Sequence, residues 1–108
     1  MLEKVYKFTT ENSKTIEKLI DDEPVLINHA ILPEGDALPE HYSNSNVYLI
    51  IVRGILTARL DDQDAHQYPC GQIVNVPYHT KMNISNADGD VLEFFIVKSP
   101  NPKNFKAD

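Results

Sequence analysis

A chain of 108 residues can bury one hydrophobic core but not two. An apolar share of 42% against 24% charged residues excludes a disordered chain, and a net charge of -6 with scattered lysines and arginines argues against nucleic acid as a partner. The longest apolar run, Val47 to Val52, is strand length, so no membrane-spanning helix is expected.

The first residues alternate charged and apolar side chains without a signal's apolar run. Cys70 is the single cysteine, which rules out an internal disulfide, so a cytoplasmic location is expected. Lys4 to Phe8 alternates and predicts a short opening strand. Asn12 or Ser13 is placed to cap a two-turn helix, because Ile16, Leu19 and Ile20 repeat at helical spacing. Pro24 marks the entry to a strand over 25–32. Its alternation puts Val25, Ile27, His29 and Ile31 on one face and Leu26, Asn28, Ala30 and Leu32 on the other.

Pro33 to Asp36 has the composition of a turn. Leu38 to Tyr42 predicts a strand carrying His41, and Ser43 to Asn46 another turn. Val47 to Val52 is apolar on both faces, so something must cover the second one. Gly54 breaks it. Ile55 to Asp61 then alternates with Leu56, Ala58 and Leu60 inward. Ala65 to Tyr68 predicts an edge strand, Gln72 to Val76 the next, and Thr80 to Asn86 one with Met82 and Ile84 on a shared face. Asp88-Gly89 is a hairpin signal leading to the closing strand, Val91 to Lys98. Pro100 and Pro102 open a tail expected to fray.

About nine short strands with one brief helix predict an all-β antiparallel sandwich or barrel. It is one domain over 1–108. Residues 24–98 form the barrel, 1–23 an N-terminal strand and helix, and 99–108 the tail.

Two spacings carry a resemblance. Gly35, His41 and Gly54 fit in register the pattern G-x5-H-x-H-x3,4-E-x6-G. Gly71, Pro77 and Asn86 fit G-x5-P-x-G-x2-H-x3-N, with His79 at its internal glycine. These are the two motifs of the cupin superfamily, and the sequence resembles its small single-domain, conserved-barrel members. The resemblance implies a double-stranded β-helix, or jelly-roll barrel, with sheets packing across a homodimer interface.

In that family three histidines and a glutamate hold a metal inside the barrel. The corresponding positions here are His41, Ser43, Val47 and Met82, so one imidazole remains. A divalent metal normally takes three or more N, O or S donors. The expectation is a degenerate metal site with no cofactor. Should a single divalent transition metal bind, a displaced set of His41, His79 and His29 would hold it, or copper would sit between His41 and Met82. The candidate pocket residues are His41, Ser43, Val47, Met82 and His79, although Val47 and Met82 also suit plain core filling.

Two classes of function stay open. One is a module that binds a small molecule in the barrel mouth. The other is an enzyme: a metal-dependent oxygenase or isomerase with displaced ligands, or a metal-free isomerase. The last would need a histidine oriented by a carboxylate and a partner tyrosine.

Overall fold

The computed structural model describes residues 1–105. Its strands are β1 (Thr15–Asp21), β2 (Leu26–Leu32), β3 (His41–Tyr42), β4 (Val47–Arg53), β5 (Ile55–Leu60), β6 (His66–Pro69), β7 (Ile73–Val76), β8 (Lys81–Ser85) and β9 (Leu92–Lys98). They form a five-stranded sheet, β1-β2-β9-β4-β7, and a four-stranded sheet, β3-β8-β5-β6. Every named ladder is antiparallel. No helix among the described residues is long and apolar enough to cross a membrane.

The two-residue period of a strand decides the core. Ala30, Leu32, Val47, Leu49, Ile51, Leu92, Phe94 and Ile96 point inward from the larger sheet and meet Leu56, Ala58, Met82 and Ile84 from the smaller. Two motif residues fix the corners. Gly54 has φ 79°, and a Cβ there would overlap the carbonyl oxygen of Val91. Asn86, buried, donates from Nδ2 to the carbonyls of Leu32 (2.8 Å) and Asp90 (2.7 Å). Its Oδ1 accepts from the Asp88 amide (3.0 Å).

The expected N-terminal helix is absent, and its residues form β1 instead. A β-bulge is the reason. The register runs Lys18↔Asn28 and then Ile20↔Ile27, leaving Leu19 without a partner. This extra residue breaks the alternation and gives Ile16, Leu19 and Ile20 their helix-like spacing. A two-turn helix is below the length at which helices hold without tertiary support, whereas β2 offers a ladder. Residues 4–8 likewise form no strand.

Asp88-Gly89 does not make a hairpin, because β8 and β9 belong to different sheets and the segment turns a corner between them. The predicted strand over 38–42 shrinks to β3 plus an isolated bridge, Ala37 to Ser85. After β9 the chain is held down. Buried Asn101 donates to Asp21 Oδ1 (2.6 Å) and the Asp22 carbonyl (2.9 Å), and Pro102–Asn104 forms a 3-10 turn. The expectation of a fraying tail therefore fails through Phe105, and its last three residues, 106–108, lie outside the described residues.

Candidate functional site

His41 and Met82 are direct cross-strand partners in the β3–β8 ladder. Partners in a ladder point to the same side. Both line a cavity of about 150 Å³ at the mouth between the sheets. Its wall is largely apolar, built from Leu49, Met82, Ile84 and Ile96. Asn28, His41 and Lys98 supply its polar groups. His41 Nδ1 lies 2.9 Å from the Pro39 carbonyl. A carbonyl accepts only, so Nδ1 carries the hydrogen and Nε2 is the acceptor of the neutral ring.

The other candidates lie elsewhere. The Ser43 hydroxyl donates to the Pro77 carbonyl (2.6 Å) and accepts from the Thr80 amide (2.8 Å). It ties the end of β3 to the turn before β8. Val47 is fully buried in the core. His79 has φ 63° and stacks on Tyr42, ring centroids 4.9 Å apart. Tyr42 follows His41 on the strand and so points away from the cavity, and His79 goes with it.

His29 faces the opposite side of β2 from Asn28. It is fully buried, with Nδ1 2.7 Å from Glu17 and Nε2 2.7 Å from Glu93. Phe8 and Phe95 pack on its ring, both with centroids 4.9 Å away. Arg53 Nε lies 3.2 Å from the second oxygen of Glu93. The Thr9 amide holds the Glu17 carboxyl below its ordinary range, with His29 and the Thr9 hydroxyl adding to this against the opposing effect of burial. Packed against two phenylalanines, His29 fastens β1, β2 and β9 together.

The three histidines thus do not converge. Among the described residues no group of three or more His, Cys, Asp or Glu side chains is placed to hold a metal ion. The four motif positions offer an imidazole, a hydroxyl already committed to backbone, an isopropyl group and a thioether. That set does not fit a divalent transition metal. Sequence reasoning missed Asn28 and Lys98. The alternation of the strand over 25–32 had set Asn28 among the side chains now seen to point inward, and that was the signal available.

Two packed antiparallel sheets of this order define a double-stranded β-helix. The comparisons with known proteins agree with that class. No family model matches the sequence. An uncharacterised protein of Methanocaldococcus jannaschii is 51% identical over 108 residues, covering 99% of this chain and 93% of that protein. A crystal structure of an RmlC-like cupin family protein from the same organism superposes with a TM-score of 0.95 over 99% of both chains, also at 51% identity. A cupin-like protein from Thermotoga maritima matches 91% of this chain and 82% of its own with a TM-score of 0.74; at 15% identity it shares the fold alone. The chain belongs to the cupin superfamily.

Proposed function

We propose that this cupin is a cytoplasmic binding module that holds a small organic molecule in its barrel mouth, without the family's metal. The observation that supports this is the His41–Met82 cavity, where a polar rim meets an apolar wall. At about 150 Å³ it is smaller than pockets for drug-sized ligands, which start at roughly 300 Å³, so the ligand is a small metabolite. Of the expected pocket residues, His41 and Met82 serve it directly; Ser43 holds their loop in place, and Val47 backs the wall from the core.

The two methionines make the test simple. Met1 is fully exposed and Met82 is buried at the cavity. With [methyl-13C]methionine labelling, small anionic, neutral and cationic fragments are titrated into the protein. The reading predicts that some of them shift the Met82 methyl and leave Met1 unmoved. If no fragment moves Met82, the barrel mouth is not a binding site.

We propose further that the chain forms a homodimer through the outer face of the five-stranded sheet. Ile27, Ile50, Phe95 and Val97 stand there, with Tyr6 and Phe8 of the N-terminal arm beside them in an open apolar depression of about 390 Å³. Beyond it, Met1, Leu2 and Val5 stand in solvent. An antiparallel sheet with apolar side chains on both faces needs cover on both. A second copy, related by two-fold symmetry, supplies a matching face and gives each arm a surface to lie on.

A further inference from the structure

The polar groups of the barrel mouth do not satisfy one another. Lys98 reaches the cavity from the end of β9 half-buried, and none of the ion pairs among the described residues involves it. Burial holds its ammonium below the ordinary lysine range, and the neighbouring charge of Lys18 pushes the same way. On β2, Asn28 stands directly opposite Lys18 and opposite Ile96, so it is the diagonal neighbour of Lys98 on one face of the sheet. Asn28 Oδ1 is buried with no hydrogen-bond partner among the described residues. An orphaned acceptor of this kind costs on the order of 1–3 kcal/mol, and a cavity wall is where a ligand can recover it. His41 Nε2, across the mouth on β3, is a second acceptor, since Nδ1 is engaged by Pro39.

The mouth therefore presents a cation without an anion and two acceptors without donors, set in an aliphatic wall. We propose that it binds a short aliphatic hydroxy acid. The carboxylate pairs with Lys98, the hydroxyl donates to Asn28 Oδ1, and the alkyl end rests on Leu49, Met82, Ile84 and Ile96. This inference rests on the barrel-mouth reading above and specifies the chemistry of its ligand.

The test is calorimetric titration of the whole chain with three probes: 2-hydroxy-4-methylpentanoate, its amide, and 4-methylpentanoate. The acid is expected to bind about tenfold more tightly than the amide, the margin of one charge-assisted contact. It should also exceed the deoxy acid several-fold. Lys98→Met, of similar length and uncharged, should abolish the acid-over-amide preference without weakening amide binding. Asn28→Leu should abolish the hydroxyl preference. The wild-type comparison stands even if a variant fails to fold.

Equal binding of acid and amide, or an acid preference that survives in Lys98→Met, overturns the hydroxy-acid assignment while leaving the pocket reading intact if the Met82 methyl shifts. No binding by any of the three probes also overturns the assignment. The pocket reading itself falls only when the wider fragment set leaves Met82 unmoved.

Discussion

Replacing Asn86 by alanine removes three hydrogen bonds at the corner between β8 and β9: two donated to the carbonyls of Leu32 and Asp90, and one accepted from the Asp88 amide. Each such bond contributes a net ~0.5–1.5 kcal/mol, and a buried partner left without a replacement costs more, so the loss is about 3 kcal/mol. For a domain of this size that lowers Tm by roughly 12–24 °C. Asn86→Asp sharpens the test, because it keeps the shape and the acceptor yet turns a carboxylate toward two carbonyl oxygens. At neutral pH it should be at least as damaging as alanine. Acidification to about pH 4, near the ordinary aspartate pKa, should narrow its deficit by restoring one donor. Urea unfolding followed by circular dichroism measures all three proteins. A loss below about 1 kcal/mol in Asn86→Ala, or an Asn86→Asp variant as stable as wild type, would refute the view that this side chain ties the corner.

Glu17 gives a pH prediction. Its folded-state pKa is lowered, chiefly by the Thr9 amide. It therefore adds stability above the unfolded value of about 4.3, and that stability is lost as pH falls through the lower folded value. The stability gap between wild type and Glu17→Gln should close on acidification through that window. A constant or widening gap would mean that the carboxylate contributes nothing through its charge. At the proposed dimer face, Ile50 stands opposite Phe95 and Ile73 in the ladders of β4. Sedimentation at micromolar concentration should show a dimer for wild type and a folded monomer for Ile50→Glu; a monomeric wild type sinks the proposal.

The elements that were legible in the sequence carry their information locally. Met82 and Ile84 alternate with polar neighbours, and Gly54 and Asn86 sit at spacings that only a particular pair of corners demands. What stayed hidden depends on partners far along the chain. The bulge at Leu19 is defined by the register of β2 and cannot be read from β1 alone. His29 looks like one more strand histidine until Glu17 and Glu93, 12 and 64 residues away, close on its two nitrogens. Asp88-Gly89 has the composition of a hairpin turn, and only the assignment of β8 and β9 to separate sheets makes it a corner.

The candidate site divides the same way. His41 is marked by a motif position, and it lines the cavity. Lys98 and Asn28 were missed because their relation is a diagonal across two strands, and neither belongs to either motif. Ser43 occupies a ligand position of the family pattern, yet its hydroxyl is used up on the Pro77 and Thr80 backbone. A residue's place in a pattern predicts where its backbone goes more surely than what its side chain does.

In the proposed function the barrel mouth works without a bound metal. The most direct measurement is elemental analysis of the protein purified without chelators. The prediction is less than about a tenth of an equivalent of transition metal per chain, unchanged in His41→Ala, as a site with a single imidazole donor requires. Close to one equivalent, lost in His41→Ala, would contradict it and return this chain to the metal-dependent enzymes of its superfamily.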